Sequence, residues 1–163
     1  MKAVISPCGL YRYRLERDVQ PEGRVFAFFG VNPSTADANT EDATTRKWRG
    51  FCIRNGARRY IAGNPFAYRA TDVNELEMAI DPIGPGNLAA IAGIIADSDV
   101  LVPCWGSRDK LPKSIRHHLI RLKRTLFESG KPVKIFGLTA SGDPKHPLML
   151  GYDTPLVEWR DDG

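Results

Sequence analysis

The sequence predicts an α/β protein, a three-layer α/β/α sandwich around a central, mostly parallel sheet of four strands. Four near-continuous apolar runs are typical of strands buried on both faces. Segments with helical spacing separate these runs, as crossovers between parallel strands require. In segment 11–19, YRYRLERDV, charges alternate with apolar residues, which predicts one further antiparallel strand at an edge of the sheet.

Each of the four apolar runs ends in turn-forming residues. The runs are VFAFFGV (25–31), RYIAGNPF (59–66), DVLVPCWG (99–106) and VKIFGL (133–138). The carboxyl ends of parallel strands meet at one edge of a sheet, and ligands of open α/β sheets bind there. We therefore expect the functional site among the residues that follow these runs.

Three segments carry helical signals. They are TTRKWRGFCIRN (44–55), GNLAAIAGIIAD (86–97) and the basic segment 111–129, which has leucine and isoleucine at helical spacing. The first places Trp48 and Phe51 on one face and ends at Gly56. The longest irregular stretch, 71–85, is expected on the surface near the site.

Length and composition indicate one ordinary globular domain over residues 1–163, with 42% apolar and 26% charged residues. No window approaches a membrane span, and the N-terminus lacks the apolar core of a secretory signal, which predicts a cytoplasmic protein without membrane contact. Three cysteines without metal-ligand spacing favour neither a disulfide framework nor a metal, and no cofactor motif occurs. The net charge of +4 fits a polyanionic partner or an ordinary basic enzyme. The sequence sets no oligomeric state.

Two Asn-Pro pairs stand at the ends of the first two runs: Asn32-Pro33 follows the first run, and Asn64-Pro65 lies near the end of the second. Proline biases the preceding residue toward extended backbone, so the asparagine amide is directed forward, away from any helix. An amide offers donors and an acceptor together, which suits a nucleobase edge or a bound water. The alternative is that each pair only starts a turn.

The order of these motifs resembles that of the uracil-DNA glycosylase superfamily. Gly-Val-Asn-Pro at 30–33 is followed by Asn64, by Trp-Gly-Ser at 105–107 and by His-Pro at 146–147. The first motif is most similar to the mismatch-specific and thymine-DNA branch, which has Asn where the uracil branch has Asp. Over nearly its full length, the chain also resembles the bacterial and phage family DUF1643, in RYRL, NPSTAD, NPFAYRAT, WG and Gly-x-Pro-Lys-His-Pro-Leu. That family has no established activity.

The glycosylase resemblance implies a role for each motif. Asn32 would hold the attacking water, Asn64 would read the edge of a flipped base, and His146 would donate to the base oxygen that gains charge. Trp48 or Phe51 is the preferred stacking residue, and Arg69, next to Tyr68, is the preferred phosphate contact. The substrate-binding candidates are Gly30, Pro33, Ser34, Thr35, Trp48, Phe51, Asn64, Phe66, Arg69, Trp105, Gly106, Ser107 and Lys145.

These roles predict a protein that binds a nucleobase, a nucleotide or a nucleic acid, and they suggest a DNA glycosylase that hydrolyses an N-glycosidic bond. After His146-Pro147 the chain has Leu148-Met149, where DNA glycosylases have Ser-Pro and a wedging residue. Two alternatives therefore stay open. One is a non-catalytic module that recognises a modified nucleotide, and the other is an enzyme that acts on free nucleotides.

Several charged residues have both a functional and a structural interpretation. Asp37 is a candidate general base, whereas Asp42 is expected to cap the helix that begins near Thr44. His117 and His118 are expected on the surface. The basic residues of segment 110–124 fit a solvated helix face or a nucleic-acid track.

Overall fold

A computed structural model of the chain describes residues 2–33, 39 and 41–161. The main sheet has five strands in the order β1-β2-β4-β3-β5. These strands are β1 (Lys2–Ile5), β2 (Arg12–Asp18), β3 (Arg24–Phe29), β4 (Ala57–Gly63) and β5 (Val100–Pro103). The helices in this part of the chain are α1 (Ala43–Arg54), α2 (Asn74–Met78), α3 (Asn87–Asp97) and α4 (His117–Glu128). A separate two-stranded sheet joins β6 (Lys134–Ile135) to β7 (Val157–Glu158).

The sheet differs from the predicted four-stranded, mostly parallel one. β3 is parallel to β4 and β5, but β2 is antiparallel to β4, and β1 is antiparallel to β2. Segment 11–19 is therefore antiparallel as predicted. The prediction that this strand lies at the edge of the sheet is wrong. The short β1 pairs along the outer side of β2, from Lys2 opposite Glu16 to Ile5 opposite Arg12.

The fourth apolar run, 133–138, forms much less strand than predicted. It touches the main sheet through one parallel bridge, between Leu101 and Val133. The Trp159 N–H donates to the Val133 carbonyl, so β6 pairs with β7 instead. Gly137, at φ +115°, then turns the chain away in a conformation that residues with a Cβ rarely adopt.

Successive residues of β3 point to opposite faces of the sheet, and each face has its own core. Phe26 and Phe28 belong to one apolar cluster with residues of α1. Val25, Ala27 and Phe29 belong to a second cluster with residues of α3 and α4. Helices thus pack on both faces, which explains why the parallel strands are apolar throughout.

Helix α1 begins where the sequence predicted. The Asp42 carboxylate accepts from the Thr45 N–H at 2.9 Å, and the Thr45 hydroxyl accepts from the Asp42 N–H at 2.9 Å. This reciprocal pair satisfies donors that the first turn of a helix leaves open. The prediction that Asp42 caps this helix is confirmed.

The predicted helix 111–129 is interrupted near its start. Short 3-10 turns at Arg108–Lys110 and Lys113–Ile115 precede α4, and Leu111 has extended backbone at ψ 145°. Pro112 explains the interruption, because a proline disfavours helical geometry in the residue before it. Loop 71–85 contains the short helix α2. Within the described ranges, no helix has the length and apolar character needed to cross a membrane.

Candidate functional site

A cavity of about 150 Å³ lies at the carboxyl ends of β3 and β4, and we call it the amide cavity. It brings together five residues predicted for the site: Gly30, Asn32, Trp48, Asn64 and His146. Five further residues complete its lining, namely Arg12, Val31, Asp42, Thr44 and Thr45. The cavity thus joins the β3 tip, the β4 tip, the start of α1, β2 and the loop after β6.

Asn64 is the most enclosed amide of the cavity, with 3% of its surface exposed. Its side chain makes no hydrogen bond with any residue in the described ranges. Its backbone carbonyl accepts from Asn87 Nδ2 at 2.9 Å, and so does the Pro65 carbonyl at 3.2 Å. A Cβ at Gly30 would lie 3.0 Å from Asn64 Oδ1, so the glycine makes room for the amide. Asn64 is therefore held through its backbone, and its amide is left for a ligand.

Asn32 is half-buried, and its amide is anchored differently. Asn32 Nδ2 donates to the Ala70 carbonyl at 2.7 Å and to the Pro33 carbonyl at 3.2 Å. An amide nitrogen has two hydrogens, so these contacts use both donors. The atom that Asn32 can offer to a ligand is therefore Oδ1, an acceptor that suits a water molecule or an N–H group.

His146 enters the cavity wall as a neutral donor. Burial lowers the pKa of His146 below its ordinary value, and the Lys110 ammonium acts in the same direction, while Asp42 opposes them. His146 Nδ1 accepts from the Leu148 N–H at 3.2 Å, so the proton of the neutral imidazole lies on Nε2. At pH 7 the side chain can therefore donate a hydrogen bond without carrying a charge.

Arg12 adds a buried cation that the motifs did not place in the site. It lies on β2 with 4% of its surface exposed, and burial lowers its pKa to about 10, while the Asp42 charge acts to raise it. Arg12 is still protonated at neutral pH. The register of β1 against β2 shifts between Val4 and Ile5, opposite Arg14 and Arg12, so simple alternation along β2 could not have placed Arg12 on the inward side.

The structure separates the two preferred stacking candidates. Trp48 lines the amide cavity, and its ring stacks on Phe28 with centroids 5.3 Å apart and planes at 6°. Phe51 is fully buried, 4.4 Å from the ring of Phe136, and does not line the cavity. Phe66 is also fully buried outside the cavity, on the opposite face of the sheet.

The remaining predicted residues support the site or lie away from it. Gly106, at φ +80°, donates its N–H to the Pro144 carbonyl at 2.8 Å, and a Cβ there would lie 3.5 Å from His146 Cβ. The Ser107 hydroxyl lies 3.0 Å from that of Ser141. Pro33 is buried, Lys145 is exposed, Arg69 is half-buried, and none of the three lines the cavity.

Trp105 is buried and lines a second cavity rather than the amide cavity. Ser34, Thr35 and Asp37 lie outside the described residues.

Metal and thiol chemistry have little support in the described part of the chain. No three histidine, cysteine, aspartate or glutamate side chains come together there in a way that could hold a metal. Burial raises the pKa of Cys104 to about 12, so its thiol is protonated at neutral pH and is a poor nucleophile.

The fold and the site define an α/β protein with an amide-lined cavity at the carboxyl ends of its parallel strands. Residues 12–148 match the profile of the family described as "Protein of unknown function (DUF1643)", and the chain belongs to that family. Comparison with curated proteins gives no match, and neither does comparison with solved structures.

Proposed function

We propose that the amide cavity binds a nucleobase of single-ring size. The observation that carries this proposal is the Asn64 amide, which is buried in the cavity wall without a hydrogen-bond partner among the described residues. The Asn64 amide atoms are not among the buried polar atoms that lack a partner, so they are reached from the cavity rather than sealed inside the wall. A ligand that presents a donor and an acceptor side by side, as base edges do, would satisfy it.

The other lining groups suit the same ligand. His146 Nε2–H is a neutral donor for a base carbonyl oxygen, and Trp48 contributes apolar surface. Both groups avoid placing a full charge against a neutral base. The volume of about 150 Å³ suits the base alone, so the sugar and phosphate would remain outside.

The proposed reaction is hydrolysis of the N-glycosidic bond. Asn32 Oδ1 accepts a hydrogen bond from a water, whose oxygen attacks the sugar carbon as the base departs with the bonding electron pair. Negative charge then develops on the base oxygen, where His146 Nε2–H stabilises it, and the proton released by the attacking water neutralises the departed base. The order of motifs supports this mechanism and the associated three-layer, uracil-DNA-glycosylase-like fold.

A second candidate is recognition of a modified nucleotide without hydrolysis. Leu148 and Met149 occupy the place of the phosphate-binding serine and its neighbour, and Met149 is 91% exposed. The Asp42 carboxylate, the acidic group that lines the cavity, accepts from the Thr45 N–H as a helix cap. The missing serine favours a free nucleotide or a single strand over duplex DNA, and the use of Asp42 as a helix cap favours recognition without a general base.

Oligonucleotides separate the two candidates. Single and double strands that carry uracil, a thymine mismatch or a hydroxymethylated base are incubated with the protein and then treated with alkali, which cleaves abasic sites. Hydrolysis predicts cleavage that Asn32→Ala abolishes and Asn74→Ala retains, because Asn74 is an exposed amide on α2. Binding without cleavage supports the recognition module.

Free ligands form the other arm of this test. A panel of pyrimidine nucleosides and nucleotides is screened by thermal shift, with Asn64→Ala as the comparison. If no oligonucleotide, nucleoside or nucleotide binds the wild-type protein, both candidates are excluded.

A further inference from the structure

A second cavity, of about 130 Å³, lies between the segment after β5, the loop at 142–143 and helix α4. We call it the cationic cavity. Its polar lining consists of Trp105, Arg108, Arg116, Lys123 and Asp143, and Trp159 closes one side. Three cations and one carboxylate therefore face the same space. The amide cavity and its proposed function use none of these residues.

The carboxylate of this cavity is already engaged. Asp143 Oδ2 accepts from the Arg108 N–H at 2.8 Å, from Arg108 Nε at 3.0 Å and from the Ser141 hydroxyl at 2.7 Å. Burial would raise the pKa of Asp143, but these bonds outweigh it and hold the pKa below its ordinary value. Asp143 therefore orients Arg108, whose Nη2 also donates to the Ser141 carbonyl at 2.9 Å. The Arg108 Nη1 group has no bond to a described residue.

Arg116 is oriented by backbone rather than by a carboxylate. Arg116 Nε donates to the Leu111 carbonyl at 2.9 Å, and its Nη2 lies 3.5 Å from the Asp109 carbonyl. Among the residues that the structure describes, no carboxylate comes within ion-pair distance of Arg116. Its planar guanidinium is thus held in place with donors left over, which suits an oxyanion.

Lys123 completes the group of cations. Its ammonium lies 4.9 Å from the centre of the Trp159 ring and 3.7 Å from the exposed Asp161 carboxylate. An exposed ion pair at that distance is weak, so Lys123 retains most of its attraction for a second anion.

Trp105 lines the cationic cavity with a buried indole ring. It is 4% exposed, and its indole N–H has no hydrogen-bond partner in the described part of the chain. Buried N–H donors are rarely left unpaired in folded proteins. The indole nitrogen has less than 1 Å² of accessible surface, so Arg108, Arg116 and Lys123, rather than Trp105, are the donors that a ligand in the cavity can reach.

We propose that the cationic cavity binds a phosphate group. A phosphate offers several acceptor oxygens and a negative charge to Arg108, Arg116 and Lys123. The cavity exceeds the roughly 10–15 Å³ that one water requires and has no room for a sugar and a base together. The ligand is therefore inorganic phosphate or a phosphate that projects from a nucleotide or a nucleic acid strand.

This site is independent of the proposed base-binding function. Trp105 and Asp143 line the cationic cavity, whereas His146 lines the amide cavity, and Gly106 packs beside His146 between them. Asn64→Ala is therefore expected to leave phosphate binding unchanged. If it abolishes base binding alone, the two functions are separable.

The test is calorimetry of the full chain with inorganic phosphate, against chloride at matched ionic strength. Arg116→Gln is expected to weaken phosphate binding about tenfold, the effect of losing a charged hydrogen bond. Arg124→Gln is the matched control, because it removes the same charge from an exposed position on the same helix outside the cavity. The Lys123 side chain makes no hydrogen bond to the backbone of a described residue, so its replacement should disturb the fold less. Lys123→Gln therefore decides the outcome if Arg116→Gln does not fold.

A nucleoside 5′-monophosphate and a short single-stranded oligonucleotide form two further arms. Losses on Arg116→Gln or Lys123→Gln that exceed those of Arg124→Gln support the site, and the arm with the tightest binding identifies the source of the phosphate. The proposal is overturned if wild-type protein binds no phosphate beyond the chloride control. It is equally overturned if Arg124→Gln weakens binding as much as the cavity variants do.

Discussion

The two Asn-Pro tips of the sheet are identical in sequence and different in structure. At the β3 tip, Asn32 donates both of its amide hydrogens, to the carbonyls of Ala70 and Pro33. At the β4 tip, the Asn64 side chain has no such bond to a described residue, and Asn87 holds the backbone of that tip instead. One asparagine therefore secures its own loop, while the other is secured by a helix.

This difference teaches which amide is available for recognition. Asn32 can offer only an oxygen, so it suits a water or a single donor. Asn64 can offer a donor and an acceptor together, so it suits the edge of a base. If this difference is correct, substitution of Asn32 should lower the stability of the protein, whereas substitution of Asn64 should mainly weaken ligand binding.

The largest expected effect is on stability, at Asn87. Asn87→Ala removes two buried hydrogen bonds from the β4 tip and leaves two carbonyls without a donor, so the free energy of unfolding should fall by about 2–3 kcal/mol. Urea denaturation measures this loss. The control is Asn74→Ala, whose exposed amide should matter by less than about 0.5 kcal/mol. Equal stability of the two variants would show that Asn87 does not secure the tip.

Asn64→Ala should act on binding rather than on stability. The loss of the amide is expected to weaken binding of a pyrimidine nucleoside or of the base-carrying oligonucleotide by about 1–3 kcal/mol. Calorimetry measures the affinity, and urea denaturation checks that stability changes little. Unchanged affinity would remove Asn64 from the base-reading role.

Unlike Asn64→Ala, Asn32→Ala should lower the stability of the protein even in the absence of a ligand. It breaks the 2.7 Å bond to the Ala70 carbonyl, so we expect a loss of about 1 kcal/mol in the free energy of unfolding. Asn32→Asp serves as a comparison, because its carboxylate keeps the shape but cannot donate. If both variants are as stable as the wild type, the anchoring role of Asn32 is wrong.

The smallest expected effect is a pH dependence at His146, which lies opposite both tips. Its pKa is lowered in the folded state, so its contribution to stability is complete above the unfolded pKa of about 6.5 and is lost as the pH falls through the folded pKa. His146→Asn keeps an acceptor for the Leu148 N–H and cannot be protonated. Denaturation between pH 7 and pH 5 should therefore show a smaller decline for His146→Asn than for the wild type. Parallel declines would mean that His146 does not titrate differently on folding.

The sequence predicted the local chemistry of the fold well where one residue type dictates the geometry. Asp42 caps α1 because a carboxylate before the first turn accepts from an open N–H. The break before α4 was not predicted, although it too has a local cause, Pro112. The strand partners were harder to predict. β1 was not predicted, because four residues are too few to show a clear pattern. Segment 133–138 was predicted as a strand of the main sheet, but it pairs instead with residues about 25 positions later in the chain.

The site shows the same division. Asn32 and Asn64 meet at one cavity because β3 and β4 are parallel and end at the same edge of the sheet. His146 reaches this cavity from the loop after β6, which lies outside the main sheet. Arg12 and Asn87 were not predicted for the site, because an arginine in a strand and an asparagine in an apolar helix have no distinctive local signal. Their roles arise from contacts with residues far away in the chain.

The sequence by itself determined the α/β class, the helix cap at Asp42 and the polar residues at the strand tips, since each depends on neighbours a few positions apart. Only the tertiary structure decided the order of the five strands, the separation of Trp105 from the amide cavity and the different states of the two Asn-Pro amides. The physical reason is that a hydrogen bond depends on where its partner lies in space. Ala70 and Asn87 reach these tips only when the whole sheet has formed.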